Sequence, residues 1–288
     1  MRTGTIVVAT DGTTSSRAAV RWAAREAHRR GARLRVTHVL DWEWGETRYE
    51  FGAGQFAGAR QAAEGIARGG ITLAHEVAPG LPAEVDIRVG NPAARLIAET
   101  DGVDLLVLGS RGRGGFASLL LGSVSQRVAM HADCPVTVVR GRGDVTAGPV
   151  AVGFDDSPGA EGVLRTAFEQ AAVRGTGLTV VRTYLPLLPV HLAGAGAAVV
   201  ATPEQDEDER RRLVEQLAPW RGKFPGVPVD TLISHDSPAA VLSGVSHTAQ
   251  LVVVGSHGHG TITGTLLGST GLQLLHHADC PVLLARQA

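Results

Sequence analysis

The chain has 288 residues, a length that points to about two domains. Hydrophobic residues make up 44% and charged residues 19%, with a formal net charge of −1, the balance of an ordinary globular protein. That charge leaves no basic surface for nucleic acid or an anionic membrane, so neither is an expected partner. Of the 27 Lys and Arg residues only Lys223 is a lysine, so none stands near the glycine loops described below.

Residues 1–9 run straight into a strand at 5–10 without the features of a secretory signal, so a cytoplasmic location is expected. A helix follows over 14–30, where Ala18, Trp22, Ala23 and Glu26 recur at helical spacing. Strands are predicted at 34–39, 85–89, 104–108 and 136–140, with helices at 55–74, 92–101 and 123–131 between them. The strands are rich in Val, Ile and Leu and do not alternate, which is how parallel strands buried on both faces read. Asn91-Pro92 is an N-cap followed by proline at the first helical position. The stretch 40–54 holds Trp42, Trp44, Tyr49 and Phe51 and reads as a lid or contact surface. Strands alternating with helices give right-handed βαβ units and a doubly wound parallel sheet.

The pattern then repeats, with strands predicted at 150–154, 178–184, 229–234, 251–255 and 282–286. Residues 109–140 and 255–286 align without a gap and agree at 15 of 32 positions, an offset of 146. Residues 6–13 pair with 150–157 at an offset of 144. Two tandem domains are expected, at 1–143 and 149–288, joined by the Gly-rich polar linker 141–148. The apolar stretch 185–201 is interrupted by Pro186, Pro189, Gly194 and Gly196 and is too short to span a bilayer. The run 204–212, EQDEDERRR, reads as a solvated helix face with internal ion pairs. Cys134 and Cys280 hold matching places before prolines and read as small buried hydrophobes in a reducing compartment. His131 matches His277, and His276-His277 reads as a helix end, where positive charge is favoured. His257 and His259 share one loop without Cys or carboxylate companions, so no metal site is expected.

The chemistry follows the fourth strand of each copy. The spacing is Gly109-x2-Gly112-x9-Gly122-Ser123 in the first and Gly255-x2-Gly258-x9-Gly268-Ser269 in the second. Glycines let backbone N–H groups approach an anion closely. The helix opened by Gly-Ser offers unpaired N–H groups and a positive dipole end. Without lysine, phosphates would be held by these N–H groups and by the Ser123 and Ser269 hydroxyls, helped by Arg111 or Arg113. Glycines also serve such loops for shape alone, but identical spacing in two copies favours the anion reading. Neither GxxxxGK[ST] nor a GxGxxG after a strand is present. Asp11 and Asp155 end the first strand of each copy. Open α/β sheets bind ligands outside the carboxyl ends of strands where the strand order reverses. If strands 1 and 4 are neighbours, Asp11 faces the crevice of Gly109 and accepts hydrogen bonds from adenine or ribose. The alternative is that each Asp simply caps the next helix.

On these residues the sequence resembles the universal stress protein family in its tandem-domain form, over nearly the whole chain. The resemblance implies a Rossmann-like, five-stranded parallel sheet of order 3-2-1-4-5 in each domain. It implies ATP, with or without Mg²⁺, in the crevice at strands 1 and 4. It also implies association through the last strand, 135–140 or 281–286, within the chain or between copies in a homo-oligomer. Carried over, Thr10 and Asp11, and Phe154 and Asp155, stand near the adenosine moiety, and the backbone of Val39 or Thr183 meets adenine. Leu108, Gly109, Arg111, Gly112, Gly122, Ser123, Val124 and Ser125 form the first phosphate loop. Val254, Gly255, Gly258, Gly268, Ser269 and Thr270 form the second. Gly271 stands where Ser125 does, so one hydroxyl is lost, and Asp236 replaces Gly90 and would repel phosphate if it faces the crevice.

The expected protein is an ATP-binding stress-response regulator with an unidentified protein partner. No residue stands out as a base for activating water, and no complete catalytic constellation is present. The alternatives are a slow ATPase or adenylyl-transfer enzyme, with Asp11, or Asp155 and Asp156, holding Mg²⁺ through phosphate, and an adaptor whose loops have lost nucleotide.

Overall fold

The structure is a computed structural model and describes residues 4–42, 53–112, 121–185, 202–256 and 267–286. The first half runs β1 (Thr5–Ala9), α1 (Thr14–Arg30), β2 (Arg33–Leu40), α2 (Ala53–Val77), β3 (Ala83–Val89), α3 (Pro92–Ala98), β4 (Leu105–Gly109), α4 (Ser123–His131) and β5 (Val136–Val139). The second runs β6 (Val150–Gly153), α5 (Ala160–Arg174), β7 (Leu178–Thr183), α6 (Pro203–Lys223), β8 (Val229–Ser234), α7 (Pro238–Val245), β9 (Leu251–Gly255), α8 (Ser269–His277) and β10 (Val282–Ala285).

Local chemistry sets these elements. Thr13 caps α1 by accepting from the Ser16 N–H, and Gly31 closes it at φ 61, a conformation only glycine adopts freely. Asn91 and Ser237 cap α3 and α7 in the same way, each followed by proline. Thr202 and Gln205 form a reciprocal capping box at the start of α6.

The described strands form one sheet in the order β3-β2-β1-β4-β5-β10-β9-β6-β7-β8. Each half is thus a parallel sheet of order 3-2-1-4-5. The halves join where β5 and β10 pair antiparallel, with Val138 opposite Val282 and Val136 opposite Leu284. Pairing equivalent strands antiparallel gives the two repeats a pseudo-two-fold relation. The seam is locked reciprocally. Arg140, after β5, donates to the Leu274 carbonyl of α8 at 2.9 Å, and Arg286, after β10, donates to the Ala129 carbonyl of α4 at 2.6 Å. Each cation meets the last turns of a helix, where the dipole favours it.

Both faces of the sheet are buried over its inner strands, whereas the edge strands β3 and β8 depart from the expected burial, with Val85, Val89 and Leu232 exposed. Ile6, Val8, Leu34, Val152 and Leu283 pack against α1, α2, α5 and α6, and Val7, Leu106, Val138, Val252 and Leu284 against α4 and α8. Each layer is continuous across the seam. No helix among the described residues is long and apolar enough to cross a membrane.

Candidate functional site

β1 and β4 lie side by side, with Ile6 opposite Leu105 and Val8 opposite Val107. Their carboxyl ends therefore open into one crevice where the strand order reverses, the place open α/β sheets use for ligands. Thr10 is buried there, with its carbonyl 2.6 Å from His38 Nδ1. Asp11 Oδ1 accepts from the Thr13 N–H at 3.0 Å and the Thr13 hydroxyl at 2.7 Å. Thr13, and not Asp11, is therefore the N-cap of α1, and Asp11 shapes the turn before it. Asp11 Oδ2 faces across the crevice, 3.0 Å from where a Cβ on Gly112 would stand. Gly109 is required by close packing: a Cβ would lie 2.7 Å from the Ser15 carbonyl carbon and oxygen. Ser15 Oγ accepts the Arg111 N–H at 3.1 Å.

Gly122 returns the chain to the crevice, donating its N–H to the Ser110 carbonyl at 2.7 Å. It is the N-cap of α4 and brings no side-chain cap. The first-turn N–H groups at Ser123, Val124 and Ser125 thus open toward the crevice with the positive end of the helix dipole. Ser123 is exposed, Val124 half-buried. Ser125 plays another part. Its buried hydroxyl donates to the Gly109 carbonyl at 2.7 Å and ties α4 to the end of β4. Leu108 is a core side chain, and Val39 is half-buried near the end of β2. Arg113 lies outside the described residues.

The second crevice repeats this plan with differences. Asp155 Oδ1 accepts from the N–H and the hydroxyl of Ser157, and Gly268 donates to the Ser256 carbonyl at 2.9 Å. Gly268 caps α8 without a side chain, and Ser269 is exposed with Thr270 half-buried. Val254 is buried, while Gly255 and Thr183 are half-buried. A Cβ on Gly271 would lie 3.1 Å from Leu267 Cδ1, so a serine there requires that side chain to shift. Asp236 is exposed, its N–H held by Ser234 Oγ at 3.1 Å. Gly258, His257 and His259 lie outside the described residues.

One site residue escaped the sequence reading. Arg182 stands on β7 where the first half has His38, and it is buried. Its guanidinium pairs with Asp156 Oδ2 at 2.6 Å and with Glu209, and lies 5.6 Å from the centroid of the Phe154 ring. Arg212 at 2.9 Å and the Gln216 amide at 3.1 Å also hold Asp156. Burial raises the Asp156 pKa, but the hydrogen bonds from Gln216 and Arg182 and the two arginine charges outweigh it, and the carboxyl is held below its ordinary value. The run 204–212 is therefore more than a solvated face. Glu207–Arg210 and Asp208–Arg211 are the expected internal pairs, but Glu209 turns inward to Arg182, and Arg212 reaches Asp156 from the surface. Asp206 accepts from the Tyr184 hydroxyl at 2.6 Å and lies 2.9 Å from His235 Nε2. Burial and that hydrogen bond push the Tyr184 phenol up to about 12. An arginine inside a buried strand, followed by acids in the next helix, was the signal available in the sequence.

The profile of the Universal stress protein family matches residues 3–140 and again 147–286. The chain belongs to the universal stress protein family. A universal stress protein of Mycobacterium tuberculosis is 36% identical over 295 residues, spanning 98% of this chain and 97% of that one. A universal stress protein of Mycolicibacterium smegmatis is 34% identical over 292 residues, spanning 98% and 96%. A solved universal stress protein from Archaeoglobus fulgidus shares the fold, with a TM-score of 0.74 at 20% identity over 100% of both chains. In this universal stress protein the two family units coincide with the two crevices described above. Among the described residues no group of three metal-ligating side chains is assembled.

Proposed function

We propose that each domain, 1–143 and 149–288, binds an adenine nucleotide, ATP with or without Mg²⁺, and that the protein acts as a nucleotide-responsive stress regulator. The observation that carries this reading is the convergence of Asp11, Gly112 and the side-chain-uncapped start of α4 on one crevice. Asp11 Oδ2 supplies an acceptor for ribose or adenine N–H and O–H groups. The α4 N-terminus and the Ser123 hydroxyl supply donors for phosphate. With no lysine at hand, the charge of the phosphates is met by backbone dipoles and by Arg111. In the second crevice Asp155, Gly268, Ser269 and Thr270 take these places, with Arg182 as an added cation at the floor. Among the described residues of the two crevices no side chain stands out as a base for activating water, and binding rather than turnover is the expected activity.

The test is thermal unfolding of nucleotide-free protein with and without Mg-ATP. A ligand at 100 times its Kd stabilises by about 2.7 kcal/mol. Gly122→Asp is expected to remove the share of the first site, and Gly268→Asp that of the second. An unchanged melt at saturating ATP would remove the reading. Steady phosphate release would make the protein an ATPase instead of a binding switch.

A further inference from the structure

Arg142, in the linker between the halves, docks into the second half. Arg142 Nε donates to Asp279 Oδ2 at 3.1 Å, and Nη2 donates to the carbonyls of Ser246 and Ala249 at 3.0 Å each. Its backbone N–H donates to the Asp279 carbonyl at 2.8 Å. The groove that receives it has a rigid frame. Ser246 Oγ donates to the Ser243 carbonyl at 2.6 Å and accepts the Asp279 N–H at 2.8 Å.

The first half contains the same frame. At the repeat offset of 146, Ser243, Ser246, Ala249 and Asp279 correspond to Ile97, Thr100, Val103 and Asp133. Thr100 Oγ1 donates to the Ile97 carbonyl at 2.7 Å and accepts the Asp133 N–H at 3.4 Å, so these two bonds repeat, while the turn itself is tighter, with the Val103 N–H on the Thr100 carbonyl where Ala249 donates to Val245. Here it borders an open cavity of about 360 Å³, walled by Thr100, Asp101, Val103, Asp133, Cys134 and Arg286 among others. Arg286 is the counterpart of Arg140 and is engaged by the Ala129 carbonyl. The counterpart of Arg142 is Ala288, which carries no cation. Asp133 feels the charge of Arg286 across the cavity, as Asp279 feels that of Arg140 in the second half.

We propose that this cavity binds an arginine side chain presented on an extended segment of a partner protein, seated as Arg142 is seated in the second half. Two backbone carbonyls and a carboxylate form an acceptor set that matches the planar fork of a guanidinium. A segment fits better than a free amino acid, because Arg142 is also held through its own backbone N–H. Asp101 adds a second negative charge at the rim. The cavity lies at the amino ends of β4 and β5, opposite the nucleotide crevice, so the inference stands apart from the nucleotide reading.

The probe is a capped hexapeptide with the linker sequence 139–144, Val-Arg-Gly-Arg-Gly-Asp, titrated into the full chain by calorimetry. The expected result is saturable binding that weakens by roughly tenfold or more in Asp133→Asn, the scale of one charged hydrogen bond. A peptide with citrulline in place of its second arginine is expected to weaken as much on the wild-type protein, which keeps the test independent of how the variant folds. Free arginine amide is expected to bind more weakly by a similar factor. Absence of saturable binding, indifference to Asp133→Asn in a variant that melts like wild type, indifference to citrulline, or free arginine amide binding as tightly as the peptide would each overturn the proposal.

Discussion

The Arg174 guanidinium meets the Glu26 carboxylate at 2.7 Å across the seam, with the two side chains only 2% and 0% exposed. Arg30 adds a second ion pair to Glu26 at 2.6 Å, and Arg174 lies 5.6 Å from the centroid of the Trp22 ring. Burial raises the Glu26 pKa, but the charges of Arg174 and Arg30 and the hydrogen bonds of Arg30 and Gln170 outweigh it, so the carboxyl is held below its ordinary 4.5. By the 144 offset, Gln170 is the counterpart of Glu26 and Arg174 that of Arg30. The neutral amide in one half lets the two helices meet without opposing carboxylates.

Glu26→Gln leaves Arg174 buried without its anion. Breaking a buried pair from one side costs roughly 3–5 kcal/mol, and urea unfolding at neutral pH is expected to show a loss on that scale. Because the folded pKa is lowered, the contribution of Glu26 is complete above 4.5 and is lost as pH falls through the folded value. The gap between wild type and variant is therefore expected to narrow below pH 4.5. A gap that stays constant with pH would contradict the assignment.

Gly109→Ala is expected to destabilise the first half. Its Cβ would lie 2.7 Å from backbone atoms of Ser15, and backbone yields less readily than a side chain end. Overpacking of this kind costs about 1–3 kcal/mol. Calorimetric melting measures it, and a neutral substitution would mean that α1 lies farther from β4 than described.

Arg182→Met is expected to unsettle the second crevice. Asp156 and Glu209 would lose their shared cation, and a hydrogen bond to a charged group is worth about 1.5–3 kcal/mol. Asp156 keeps 30% exposure and the Arg212 pair, so the low end of that range applies. If nucleotide occupies this crevice, the variant also binds it more weakly, because two carboxylates then face phosphate. Unfolding midpoints and Mg-ATP titration of the variant check the two effects separately.

The two thiols differ from reactive cysteines. Burial pushes Cys134 up to about 11 and Cys280 up to about 12, so both stay protonated at physiological pH. Alkylation of native protein is expected to be slow, and Cys134, which borders the open cavity, is expected to react before Cys280. Peptide mass mapping over a time course reads the order. Rapid, equal modification would show that both sites open.

Much of this fold is legible in the sequence because its punctuation is local. The helix at 14–30 keeps its bounds because Thr13 and Gly31 close both ends. The helix predicted at 92–101 stops instead at Ala98, where Thr100 Oγ1 turns back on the Ile97 carbonyl and Gly102 takes φ 68. That Asp11 and Gly112 face each other depends on β1 lying beside β4. Periodicity does not encode strand order; the family resemblance supplied it. The pairs that organise the seam and the second crevice, Glu26 with Arg174 and Arg182 with Asp156 and Glu209, join residues remote in sequence or charges that read as solvated. No local pattern announces them.

The two phosphate loops are expected to differ in stiffness, and Ser125 is the reason. Its hydroxyl ties the first turn of α4 to the Gly109 carbonyl at 2.7 Å, whereas Gly271 offers no such tie to β9. Ser125→Ala removes one buried hydrogen bond, worth about 1 kcal/mol, and leaves the Gly109 carbonyl without that donor. It is expected to lower the melting temperature and to reduce the stabilisation given by Mg-ATP, since the donor row of α4 is then less firmly aimed. The reverse change, Gly271→Ser, does not restore symmetry, because Leu267 Cδ1 stands 3.1 Å from the new Cβ and must move first. Hydrogen exchange at the amides of α4 and α8 separates the explanations. Faster exchange confined to α4 in Ser125→Ala marks a loosened anchor. Exchange unchanged in both helices, together with an unchanged melt, would mean the hydroxyl bond does not hold the loop.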